Sequence, residues 1–309
     1  MTPRLQPLVR ARLAAMGTAG EDWTAALPDL LADLARAWGL DLGRGLPGGS
    51  ASYVARATTR DGTDVVLKVG LPGQVEAVAR EAAVLRAADG RGYARFLAHD
   101  GERGAVLMEA LGPSLERGML GPHRTLDALG ATLPDAWALD LDEPRAGASR
   151  ADELATMVRD LAEGHPGACD DAVLDRALSV AAWLASGDDP DARVWAHGDP
   201  HPANALRRGD GPDDAWAFVD PDGLWADPAY DAGIAVREWL GRVEEAARHG
   251  DQHALIASYA GRLAAATGLD AERVAAWGYL ERVSTGLYVL DFGADAMGRR
   301  FLDSARLLL

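Results

Sequence analysis

Strand and turn signals crowd into the first third of this chain, and helical periodicity dominates most of the remainder. That order points to an α+β arrangement, because strands alternating regularly with helices would instead build a parallel sheet. Asp61–Gly62 is a hairpin turn signal between the strand-like segment around Tyr53–Ala57 and a return strand over Thr63–Val69. A helix is expected from about Pro72 to Ala88, then short strands at Arg95–His99 and Ala105–Met108. Upstream, Leu8, Val9, Leu13 and Met16, and then Trp23 through Trp38, recur at helical spacing. Gly112–Gly147 is too rich in Pro and Gly to resolve. Helices are expected near Ala151–Glu163, Asp171–Ala185, Ala229–His249, Gln252–Thr267 and Ala271–Val289.

With 309 residues, 48% of them hydrophobic, the chain can bury a substantial core in one or two domains. A single cysteine leaves no disulfide framework and no multi-cysteine metal site. The formal charge of -16 argues against a nucleic-acid partner, since such binding neutralises phosphates with basic side chains. The amino end lacks the apolar core of a secretory signal, and no run of about 18 apolar residues could span a membrane. A cytoplasmic protein with no identifiable obligate protein partner is the expectation.

The densest chemistry lies in VWAHGDPHPANAL, Val194–Leu206. Asp199 and Asn204 share one loop after a short strand, and Asp220 closes the next strong strand, AWAFVD. A carboxylate that orients a hydroxyl, with an amide and a second carboxylate to hold Mg2+ against phosphate oxygens, is a coherent phosphoryl-transfer set. Lys68 stands in the apolar strand TDVVLKV, where a buried ammonium needs a partner. Glu81 lies at the edge of the stripe Val75, Val78, Ala82 and Leu85 and supplies one, whereas Glu76 points nearly the opposite way. Gly48, Gly49, Ser50 and Ser52 precede that hairpin, and their small side chains could let backbone amides cover phosphates.

Together these segments resemble the aminoglycoside phosphotransferase family, whose catalytic loop His-Gly-Asp-x-His-x-x-Asn is matched by His197, Gly198, Asp199, His201 and Asn204. The resemblance is nearest to the streptomycin phosphotransferase and hydroxyurea kinase branch, through WGLDLGRGLPGGSASYV and VDPDGLWADPAYDAG. It implies a bilobal protein-kinase-like fold, with a small N-terminal antiparallel-sheet lobe (1–108), a hinge (109–113) and a larger helix-rich C-terminal lobe (114–309). It also implies Asp199 as catalytic base, Asn204 and Asp220 as metal ligands, and Lys68 with Glu81 at the ATP phosphates. Adenine would lie against the backbone near Met108, Glu109 and Leu111. Lys68, Asp199, Asn204 and Asp220 are then expected to converge. ATP and Mg2+ are the implied cofactors, and the partner is a small, cationic acceptor.

Other readings attach to the same residues. His197, Asp199 and His201 would share one face of a continued strand and suit zinc, but Pro200 and Pro202 argue that the strand has ended. In the kinase reading His197 anchors loop backbone and His201 supports the loop or lines the site. Asp231 reads as a helix-start carboxylate, chiefly structural, and Asp227 as structural or near-site. Asp220 is followed by Pro221 and Asp222 rather than Phe-Gly, so protein-kinase activation-loop control does not carry over. Glu238, Glu244, Glu245, Asp251, Glu272, Glu281, Asp291 and Asp295 could in part line a negative acceptor pocket beside Asp199. A degenerate kinase fold that binds a nucleotide or small cation without transfer is the alternative of a different class.

Overall fold

A computed structural model describes residues 3–309 apart from 47–50, 143–146, 210–214 and 292 and the side chain of Leu8. The described chain divides into two compact units, Met1–Gly112 and Pro113–Leu309.

The first unit opens with helices α1 (Pro7–Ala15) and α2 (Thr18–Trp38) and continues through β1 (Leu40–Gly45), β2 (Ser52–Thr59) and β3 (Asp64–Gly70). Helix α3 (Val75–Ala88), β4 (Phe96–Asp100) and β5 (Ala105–Glu109) complete it. The five strands form one antiparallel sheet in the order β1-β2-β3-β5-β4. The expected hairpin joins β2 to β3, with Gly62 at φ +87 in its turn and Val54 opposite Lys68. Leu27, Leu31 and Leu34 of α2 pack on Val65, Leu67 and Val69 of β3. Side chains alternate along a strand, so Lys68 emerges on the other face. Strand β1 was not foreseen, because its alternation of half-buried Leu40 and Leu42 with exposed Asp41 and Gly43 is brief and ends in a register irregularity between Leu42 and Gly45. Helix α3 starts at Val75 rather than Pro72, and Val75 itself is exposed.

The second unit contains α4 (Leu115–Gly118), α5 (Pro122–Trp137), α6 (Arg150–Gly164) and α7 (Asp171–Ser186). Four short strands come next: β6 (Val194–Ala196), β7 (Ala205–Arg207), β8 (Trp216–Phe218) and β9 (Leu224–Ala226). It ends with α8 (Pro228–Arg237), α9 (Leu240–Ala247), α10 (Gln252–Thr267), α11 (Ala271–Leu290) and α12 (Asp295–Arg306). Helix α5 lies in the stretch whose composition hid it: Pro122 occupies its first turn, where a missing amide costs nothing, and Pro134 is tolerated within it. Strand β7 pairs antiparallel with β8, and β6 with β9, a pairing that the sequence did not announce.

Helix α11 is buried on most of its circumference and packs on α6, α7, α8, α10 and α12. At its crossing with α8, a Cβ added to Gly233 would stand 2.4 Å from Trp277 Cβ and 2.7 Å from the Gly278 nitrogen. Only glycine permits that approach. The single helix expected over Ala229–His249 is broken between α8 and α9. No proline or glycine sits at the break; Arg237 is held by three carboxylates and Trp239 Nε1 donates to the Ala235 carbonyl. Tertiary contacts override the continuous apolar pattern there.

Candidate active site

Strand β6, paired with β9, delivers the chain to His197, which is fully buried. Gly198 comes next at φ +96, a left-handed conformation in which a Cβ would lie 2.7 Å from Asp222 Cβ. The loop is then tied down atom by atom. His197 Nδ1 accepts from the Asp199 amide at 3.1 Å, which leaves Nε2 to donate to the Val219 carbonyl at 3.0 Å. The Asp222 amide donates to the His197 carbonyl at 2.7 Å. Asn204 Nδ2 donates to the Asp199 carbonyl at 3.0 Å, and the Val219 amide to the Asn204 carbonyl at 3.0 Å. Asp220, one residue on, therefore stands at the edge of the same loop, exposed and at φ +63.

Asp231 corrects the expectation of an exposed helix-start carboxylate. The N-cap of α8 is Asp227, whose side chain accepts from the Ala229 amide. Asp227 is also paired with Arg273 and accepts from Trp277 Nε1 at 2.7 Å, which gives it a fixed structural setting. Asp231 sits a turn further on, fully buried, and accepts from the His197 amide at 2.7 Å, the Gly198 amide at 2.9 Å and Trp137 Nε1 at 2.8 Å. It anchors the loop from beneath. Burial lifts its carboxyl to about 6, against the pull of those three donors.

Asp199 is positioned by a residue that the motif does not include. Arg237 Nη2 donates to Asp199 Oδ1 at 2.7 Å, while Nη1 reaches Glu281 Oε2 at 2.7 Å and Nε reaches Glu238 Oε1 at 2.9 Å. Arg237 and Glu281 are buried, whereas the Asp199 side chain keeps 41% of its surface exposed. Burial alone would raise the Asp199 carboxyl, but Arg237, His201 and His197 outweigh it and hold it below its ordinary value. His201 lies beside it, Nε2 at 3.5 Å from Asp199 Oδ2, while Nδ1 accepts from the Ala203 amide.

Both ring nitrogens of His197 are thus committed to backbone, which removes the zinc reading. No cage of three or more His, Cys, Asp or Glu suited to a metal occurs among the described residues. A magnesium ion bound through nucleotide phosphates needs no such cage, since one or two protein oxygens suffice. Asn204 and Asp220, an amide and an exposed carboxylate on adjoining backbone, fit that demand.

In the first unit, Lys68 Nζ and Glu81 Oε2 are 2.6 Å apart and both residues are buried. Met108 is buried in β5, and Glu109 at its end accepts from the Arg95 amide at 2.8 Å. The Leu111 carbonyl accepts from Arg56 Nη2 at 2.9 Å. Ser52 begins β2 opposite Gly70. Gly48, Gly49 and Ser50 lie outside the described residues.

The His197 imidazole and the Asp231 carboxyl make opposing demands on pH. Burial pushes His197 down to about 4 from 6.5, so the stability it contributes is complete above 6.5 and is lost as pH falls toward 4. Asp231 is raised to about 6 from 3.8, so its contribution is present below 3.8 and is lost as pH rises through 6. Between about 4 and 6 the two slopes cancel. In His197→Asn only the Asp231 slope remains, and unfolding free energy should fall by on the order of 3 kcal/mol over that window. Urea denaturation at several pH values checks this, and equal slopes in the two proteins would contradict it.

A sequence model described as the phosphotransferase enzyme family (APH) matches residues 42–277. A streptomycin 6-kinase of Streptomyces glaucescens is 28% identical over 94% of this chain and 92% of its own. A hydroxyurea phosphotransferase of Kitasatospora aureofaciens is 30% identical over 98% of this chain and 84% of its own. Among solved structures, a choline kinase of Streptococcus pneumoniae shares the fold with a TM-score of 0.62 at 16% identity, covering 92% of this chain and 99% of that one. A macrolide 2'-phosphotransferase of Brachybacterium faecium does so at 0.57 and 22% identity, covering 90% and 97%. The fold is the protein-kinase-like one of these enzymes. A family match spanning most of the chain, with relatives of the same activity class along nearly all of it, makes this protein a member of the phosphotransferase enzyme family and a small-molecule O-phosphotransferase.

Proposed function

We propose that the chain transfers the γ-phosphate of ATP, with Mg2+, to a hydroxyl of a small cationic molecule, with a streptomycin-like aminoglycoside as the leading acceptor class. The observation that carries this reading is Asp199: a half-exposed carboxylate on a loop fixed by Asp231 and oriented by Arg237.

Held below its ordinary value, the carboxyl of Asp199 is ionised at neutral pH and accepts a hydrogen bond from the acceptor hydroxyl. A carboxylate of low basicity suits a loose phosphoryl-transfer transition state, in which orientation matters more than early proton removal. Asn204 and Asp220 would hold Mg2+, which when bound neutralises charge on the phosphate oxygens. Lys68, steadied by Glu81, would meet the phosphates, and the backbone at Met108–Leu111 the adenine. The four residues Lys68, Asp199, Asn204 and Asp220 act as one set in this reading.

The charge around Asp199 favours a cation. Arg237 is shared by Asp199, Glu238 and Glu281, three carboxylates to one guanidinium. Of the acidic residues offered for an acceptor pocket, these two glutamates join Asp199. Glu244, Glu245 and Asp291 pair instead with Arg300, Arg242 and His165. Hydroxyurea is the second reading, supported by the relative of that activity. With ATP and Mg2+, a panel of cationic antibiotics, hydroxyurea and neutral alcohols should give a phosphorylated product by mass from a cationic compound, with KM rising as salt screens the exposed carboxylates. Product from neutral alcohols alone would reject the cationic acceptor while leaving the phosphotransferase in place.

A further inference from the structure

The second unit contains a pocket of about 450 Å³ that shares no residue with the loop 197–204 or with Asp220, a volume suited to a small organic ligand. Its walls come from α7, α8, α10, α11 and Leu308. Most of the lining is apolar, with Val180, Trp183 and Ile256 prominent, and Trp183 is 46% exposed. An exposed indole beside an opening is a ready contact for an apolar body.

The polar part of the lining is the unusual one. Arg282 lines the pocket with only 1% of its surface exposed. Its guanidinium donates to Ser304 Oγ at 2.7 Å and to the Val236 carbonyl at 3.3 Å, both neutral acceptors. Among the described residues its Nε has no hydrogen-bond partner and no carboxylate lies within ion-pair distance; Glu238, itself paired with Arg237, acts on it only from farther away. The Tyr279 hydroxyl, also in the lining, is buried without a partner among the described residues. Burial pushes Arg282 down to about 10, which still leaves it charged at neutral pH. Arg176 stands over the Tyr279 ring at 5.0 Å and adds a second cation. Exposed Glu272 supplies one opposing charge, and His253 is the remaining titratable group in the lining. A buried cation without a counter-ion is costly, and the low dielectric that makes it so also strengthens its attraction for an anion.

We propose that this pocket binds a small amphipathic organic carboxylate, its charge set toward Arg282, Arg176 and Tyr279 and its apolar body against Trp183, Val180 and Ile256. The site is separate from phosphoryl transfer and supplies Arg282 with a directly paired anion, which no carboxylate among the described residues gives it.

Calorimetric titration of the full chain with butyrate, phenylbutyrate and decanoate, each beside its uncharged primary amide, tests this. At least one carboxylate should bind about tenfold or more tightly than its amide, the scale of one charge-assisted hydrogen bond. Arg282→Met should erase that preference. Ser179→Trp, at an exposed position of α7 that faces the pocket, should abolish binding without touching the core, and so decides the matter should Arg282→Met fail to fold. Equal affinity for acid and amide, no carboxylate binding at about 10 mM, or undiminished binding in Ser179→Trp would each overturn the proposal.

Discussion

Asp199→Asn should lower kcat by about 100- to 10,000-fold, the range general for loss of a positioned acid–base group. The amide keeps an oxygen to accept from Arg237, so the loop and its anchors at His197, Gly198 and Asp231 should persist. If Asn204, Asp220 and Lys68 bind the nucleotide as proposed, nucleotide affinity should change little, because all three are untouched. The expected signature is therefore a fall in kcat with near-constant nucleotide affinity and thermal midpoint. Unchanged turnover at saturating acceptor and Mg2+ would remove Asp199 from the chemistry.

Arg237→Met should be among the most damaging single changes to stability. It strands the buried Glu281 carboxylate and releases Asp199 and Glu238 together. Removing one partner of a buried ion pair costs about 3–5 kcal/mol, and urea unfolding should show a loss of that size. Activity should report a second effect. Without Arg237 the largest pull on the Asp199 carboxyl disappears and burial acts less opposed, so its pKa rises. The acid limb of the kcat profile should move to higher pH. Arg237→Lys should not restore wild-type behaviour, since a point charge cannot reach three carboxylates in the fork geometry of a guanidinium. Wild-type stability together with an unmoved acid limb would show that the network does not matter.

Much of the fold was legible because it is locally encoded. The Asp61–Gly62 turn, the Lys68 strand and the helices α10 and α11 announce themselves by turn chemistry and periodicity. What escaped was set by partners distant in sequence. Strand β9 exists because β6 lies beside it, and α8 ends where Arg237 is captured. The site shows the same division. His197, Asp199, Asn204 and Asp220 were visible as a motif, whereas the holding roles of Trp137 and Glu281 were not: Trp137 lies in a stretch read as Pro/Gly-rich, and Glu281 was one among several acidic residues offered for an acceptor pocket. Arg237 carried a usable signal, a lone cation closing the apolar run Gly233–Val236. Lys68 carried a stronger one that went unread, since it is the only lysine in the chain. Every other permanent cation is an arginine, so a site that keeps a compact ammonium does so for its geometry.

Transfer of the ATP γ-phosphate to an acceptor hydroxyl can be followed by phosphorus NMR of a reaction containing the enzyme, ATP, Mg2+ and streptomycin or another acceptor found by the panel. A phosphomonoester resonance, coupled to the proton on the acceptor's hydroxyl-bearing carbon, should grow in step with ADP and be missing when Asp199→Asn replaces the wild type. ADP accompanied only by inorganic phosphate, or an ester formed equally well by Asp199→Asn, would contradict it.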